Sequence, residues 1–144
     1  MDAQKIALVQ KSFEKISAME LQAAEIFYDE LFAIDPSLRL LFNGGVNQQR
    51  KFLAALALVV HKLHAPQKIM SDVETLAVKH VDYGVRPEHY TFFGNALLRT
   101  LRKGLGAEFT PEVCDAWTDA YRMLARVMKE AAYGRAPTVL SAIG

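Results

Sequence analysis

Cysteine is almost missing from this chain, with one, Cys114, in 144 residues. That excludes an internal disulfide framework, a CxxC metal site and attachment of a cofactor through paired cysteines. Charge of one sign is missing as well. Lys and Arg number 17 against 16 Asp and Glu, for a formal net of +1. Such a balance carries no nucleic-acid footprint and no basic face for a membrane surface. Long apolar runs are also absent; the longest, Phe52 to Val60, is far too short to cross a bilayer. Met1-Asp2-Ala3-Gln4-Lys5 leads straight into an amphipathic pattern, so no signal peptide is expected. No segment alternates with period two, and no Asn-Gly turn joins β-branched runs. Internal repeats and low-complexity stretches are missing too. The expectation is one cytoplasmic domain over residues 1–144, with neither nucleic acid nor membrane as partner.

What is present is helical periodicity from end to end. Ile6, Val9, Phe13 and Ile16 form one stripe; Leu21, Ala24, Tyr28 and Leu31 form a second. Phe52, Ala55, Leu56, Val59, Val60 and Leu63 form a third, and Tyr90, Phe93, Leu97 and Leu101 a fourth. The last runs from Val113 through Ala116, Trp117, Ala120, Tyr121, Leu124, Val127 and Met128 to Ala131. Steps of three and four place each set on one helix face. The class is all-α.

Boundary signals agree with the faces. Asp35-Pro36 and Thr110-Pro111 each pair an N-cap with a proline at the first helical position. Ser71-Asp72-Val73-Glu74 matches a capping box, and Gly84 closes the helix it opens. Pro87 starts the next helix, and Gly104-Leu105-Gly106 divides the last two. Seven helices are expected, at 3–17, 20–33, 36–42, 47–64, 72–83, 87–103 and 111–133. The core spans about 3–133, and 134–144 forms a loosely held tail.

One residue interrupts this apolar economy. Val73, Leu76, Ala77 and His80 share a face, so an imidazole points inward with no acidic residue on its stripe. A core histidine bonded to backbone and a metal ligand both fit that placement. Seven helices with a short third suggest a crossed-helix sandwich, which can leave a cavity between the 47–64 helix and the His80 helix. A haem needs an axial imidazole, a mostly apolar slot and few polar groups near the sixth position. His80 supplies the first; Phe42, Phe52, Leu76, Val85 and Phe93 the second; Tyr28 and Gln48 the third.

Five motifs in order carry a family resemblance: IFYDELFAIDPSLRLLF at 26–42, NQQRKF at 47–52, KHVDYGV at 79–85, EHYTFFGNALL at 88–98 and AWTDAYRMLARVM at 116–128. Over residues 3–133 the chain resembles a globin, and specifically the single-domain bacterial globins related to the haem domain of flavohaemoglobins. The resemblance implies a globin fold around a noncovalent haem b, with His80 as proximal iron ligand and Phe42 wedged against the porphyrin. It implies Tyr28 and Gln48 as the distal polar pair, and the 32 positions between Gln48 and His80 match the family spacing. Gly44-Gly45 marks a corner whose length has changed, which leaves Gln49 as the alternative to Gln48. Lys51 is either solvated or in reach of a haem propionate, and Tyr90 packs on the proximal side. His61, His64 and His89, on other faces or at helix ends, are not expected near the iron.

The chain also departs from that family. A flavohaemoglobin glutamate late in the last helix forms a relay with the proximal tyrosine and histidine. The matching position here is Ala132, and Glu130 faces another way. His80 is then expected to be a plain neutral ligand whose free ring N–H bonds a backbone carbonyl near Leu76. The functions implied are reversible binding of O2, with CO and NO; conversion of NO to nitrate using a separate reductase; or gas sensing.

Overall fold

The computed structural model describes residues 1–41, 54–68 and 86–130. Five α-helices fall within them: α1 (Ala3–Ala18), α2 (Glu20–Ile34), α3 (54–61), α4 (His89–Leu105) and α5 (Pro111–Lys129). Among the described residues there is no strand, as an all-α class requires. The expected 72–83 helix, the first part of the 47–64 helix and the 134–144 tail lie outside the described residues.

Helix starts follow the capping chemistry. Asp2 caps α1, its carboxylate accepting the Lys5 N–H at 2.8 Å. Thr110 Oγ1 accepts the Val113 N–H at 3.3 Å ahead of α5. Asp35 Oδ1 accepts both the Ser37 N–H, at 3.0 Å, and the Ser37 hydroxyl, at 2.6 Å. With Pro36 fixing φ next to that cap, the segment that follows is a 3₁₀ helix, Pro36–Leu40, which buries Leu38.

Three expected boundaries are displaced, each for a local reason. α3 ends at 61 instead of 64, where the chain passes into a turn ahead of the 3₁₀ helix Pro66–Lys68. The chain leaves through tighter bonds, Lys62 N–H to Val59 O and Leu63 N–H to Val60 O. α4 starts at His89, two residues past Pro87, where the Arg86 N–H donates to His89 Nδ1 at 3.0 Å. Its end is set by Gly106, whose positive φ of 57° is one that glycine adopts without a Cβ penalty. Gly104 instead lies inside α4, where a Cβ would stand 2.7 Å from Ile16 Cδ1.

α2 packs chiefly on α4 and α1 on α5, while α4 also touches α1 and α5. The expected stripes supply the shared core: Val9, Phe13 and Ile16 from α1, Leu56, Val59 and Val60 from α3, Leu97 and Leu101 from α4, and Ala116 and Trp117 from α5. Leu21 is the exception. It is 56% exposed, and α2 buries Ala23, Ala24, Phe27, Tyr28 and Leu31 instead. Trp117 is fully buried and donates its indole N–H to Ser12 Oγ at 2.8 Å, joining α5 to α1. Gln10 Nε2 donates to the Val60 carbonyl at 3.1 Å and ties α1 to α3. No helix among the described residues is long and apolar enough to cross a membrane.

Candidate functional site

α2 and α4, which pack on each other, carry the three expected site residues that are described. Tyr28 sits on the inner face of α2 and is 5% exposed. Its ring meets Phe27 edge-on, with centroids 5.2 Å apart at 83°, and Phe32 one turn on at 5.8 Å and 37°. Burial pushes the Tyr28 phenol up to about 12 from its ordinary 10.0. The hydroxyl is therefore neutral at any physiological pH, so it keeps the proton a hydrogen-bond donor needs.

Tyr90 and Phe93 lie in the first turn and a half of α4, both buried, with rings 5.7 Å apart at 73°. The backbone of Tyr90 is held from outside its own helix. Tyr121 of α5 donates its hydroxyl to the Tyr90 carbonyl at 2.5 Å. Burial and the neighbouring Tyr90 phenol push the Tyr121 phenol well above its usual value, so that donor too stays protonated. Gly94 makes the approach possible, since a Cβ there would stand 2.6 Å from Tyr121 Cε2. By spacing alone Tyr121 is one more residue of the inward stripe on α5, and Gly94 has no role. The available signal was a glycine inside a strongly amphipathic helix, where it costs about 1 kcal/mol relative to alanine unless packing needs it.

His80, Phe42, Gln48, Lys51, Phe52, Leu76 and Val85 lie outside the described residues, as do Gln49 and Ala132. His61 and His64 are exposed, and His89 is spent at the start of α4, where its rings of contact are Phe92 and Phe93. Glu130 is exposed at the end of α5.

The described core tests whether a haem suits this chain. Thr100 is its one buried polar residue besides the tyrosines, and it donates to its own helix at the Ala96 carbonyl, 2.7 Å away. The described interior thus presents apolar surface and neutral phenols, with no buried carboxylate or ammonium to oppose a flat apolar macrocycle. That lining fits the group.

Comparison with known proteins gives the class. The family model described as Globin matches residues 25–128, from within α2 through most of α5. The chain belongs to the globin family of haem proteins. It is 40% identical over 106 residues to the flavohemoprotein of Bordetella pertussis, covering 71% of this chain and 26% of that protein. It is 32% identical over 129 residues to the flavohemoprotein of Xylella fastidiosa, covering 87% and 32%. The flavohemoprotein of Vibrio cholerae is 36% identical over 105 residues, with 70% and 27% covered. The chain thus spans about a quarter to a third of the length of the relatives it matches.

Proposed function

We propose that this chain is a haem b globin that reversibly binds diatomic gases, O2 foremost and also CO and NO. The observation that carries the reading is the Tyr28 hydroxyl. In a chain of this family, the inner face of α2 presents a buried phenol kept neutral by its surroundings. When bound, haem supplies an iron whose open position takes a small gas.

The residues then divide the work. His80 is the proximal ligand and, without a carboxylate at position 132, keeps its ordinary basicity. Phe42, Phe52, Leu76, Val85 and Phe93 exclude water from the slot, Tyr90 packs on its proximal side and Lys51 reaches a propionate. Tyr28 and Gln48, or Gln49 in its place, donate hydrogen bonds to a gas ligand that accumulates negative charge. Such a bond is worth about 1.5–3 kcal/mol, or about tenfold to a hundredfold in affinity. O2 accepts it well and CO poorly, so the pocket discriminates by polarity.

A second reading at the same site, implied by the resemblance to flavohaemoglobins, is conversion of NO and O2 to nitrate, for which a separate reductase would return the electron. Absorption spectra of the purified protein, oxidised, reduced and with CO, test the haem assignment. A Soret band that shifts with CO, together with a pyridine adduct spectrum of haem b, is expected. Protein without visible absorbance after haem is supplied would refute the assignment. NO turnover with an added reductant then separates the two readings.

A further inference from the structure

The Tyr28 ring does not set its own position. It rests on Phe32 one turn along α2, and the Phe32 ring also carries the Arg39 guanidinium, whose carbon lies 4.8 Å from the ring centroid. Arg39 comes from the 3₁₀ helix beyond the turn, so the contact crosses the reversal at Asp35-Pro36. That reversal is stiff. Pro36 fixes its own φ, and Asp35 holds Ser37 through two hydrogen bonds. Arg39 is exposed, and among the described residues its partner is this ring and not a carboxylate. Phe32 itself is only partly buried, so core packing alone leaves its ring more freedom than that of Tyr28.

We infer that Arg39 is a positioning residue for the Tyr28 hydroxyl: its cation seats Phe32, and Phe32 seats the phenol ring that reaches the gas ligand. This rests on the reading of Tyr28 as distal donor. An exposed cation over a partly buried ring stabilises its geometry modestly, which limits the effect on gas release to about two- to fivefold.

The test compares wild-type holoprotein with Arg39→Met, Arg39→Lys, Phe32→Leu, Arg39→Met/Phe32→Leu, Tyr28→Phe and Arg39→Met/Tyr28→Phe. O2 and CO dissociation are timed by stopped flow. The ring carbons of Tyr28 are followed by NMR in the CO form with labelled tyrosine, assigned by their loss in Tyr28→Phe. Arg39→Met should speed O2 release about two- to fivefold, leave CO release nearly unchanged and move the Tyr28 resonance. Arg39→Lys, which keeps a cation, should restore most of both. Arg39→Met should add nothing in the Phe32→Leu or Tyr28→Phe backgrounds. An unmoved resonance and wild-type O2 release in Arg39→Met, with fast release in Tyr28→Phe, would overturn the inference and leave the donor reading intact. Equal acceleration of both gases, or an undiminished effect in the Tyr28→Phe background, would overturn it as well. Unchanged O2 release in Tyr28→Phe itself would overturn the donor reading and the inference with it.

Discussion

Tyr121 and Gly94 fit together as ring and recess: the Tyr121 ring occupies the space where any side chain at position 94 would begin, and its hydroxyl reaches the Tyr90 carbonyl at 2.5 Å. The pair fixes α5 against the start of α4, the segment that carries Tyr90 and Phe93. Gly94→Ala therefore forces a partly buried ring to shift and should destabilise the fold by about 1–3 kcal/mol, the usual cost of overpacking. Tyr121→Phe keeps the ring and should cost about 1 kcal/mol for the lost bond. Tyr121→Leu combined with Gly94→Ala should cost less than the sum of the two single changes. Urea unfolding of wild type, Gly94→Ala, Tyr121→Phe, Tyr121→Leu and the double variant measures each quantity.

Ser12 gives a second test, at the contact between α1 and α5. Ser12→Ala leaves the buried Trp117 indole N–H without its acceptor and should cost about 1–3 kcal/mol. Ser12→Thr keeps the oxygen and should cost less. Trp117 is the only tryptophan in the sequence, so its fluorescence reports unfolding directly.

Acid should weaken the α2–α4 packing through Glu30. Its hydrogen bond from Lys103, assisted by Arg99 at 3.4 Å, holds its carboxyl below the ordinary 4.5. A carboxylate with a depressed pKa in the folded state stabilises above its unfolded value. That contribution is lost as pH falls from 4.5 through the lower folded value. Asp119, held below 3.8 chiefly by its hydrogen bond from Lys5, adds the same trend between α1 and α5. Thermal melts across this range should show wild type losing stability more steeply than Lys103→Met. Parallel curves for the two proteins would remove Glu30 from the account.

Alkali gives the converse. The Tyr28 phenol is raised to about 12, so its burial stabilises fully below the ordinary 10.0 and that contribution fades as pH rises toward 12. Gas release should accordingly show no titration from Tyr28 below 10.0. A step in the O2 dissociation rate centred near pH 10 that vanishes in Tyr28→Phe would show that the phenol ionises at its ordinary value of about 10.

Much of this was legible in the sequence because local chemistry decides it. Asp35-Pro36 and Thr110-Pro111 mark helix starts through capping and a fixed φ, and the inward stripes of α1, α4 and α5 follow from spacing alone. Tyr28, Tyr90 and Phe93 could be placed inside for the same reason. What spacing does not encode is the neighbour across the core. Gly104 reads as a breaker until Ile16 is seen against it, and Gly94 has no role in the spacing until Tyr121 fills the recess. Leu21 reads as core because its period is right. It lies in the first turn of α2, and the buried face of that helix begins at Ala23. Arg39 carried no signal either, since its partner on Phe32 is brought near only by the turn at Pro36.

The most direct test of the account is O2 dissociation from the ferrous holoprotein, wild type against Tyr28→Phe, with CO as control. The substitution removes one buried hydroxyl and keeps the ring between Phe27 and Phe32. O2 should leave about ten times faster, in keeping with the loss of a hydrogen bond to a charged acceptor, while CO release changes far less. Unchanged O2 release, or equal acceleration of both gases, would contradict the assignment of Tyr28 as the donor that retains O2.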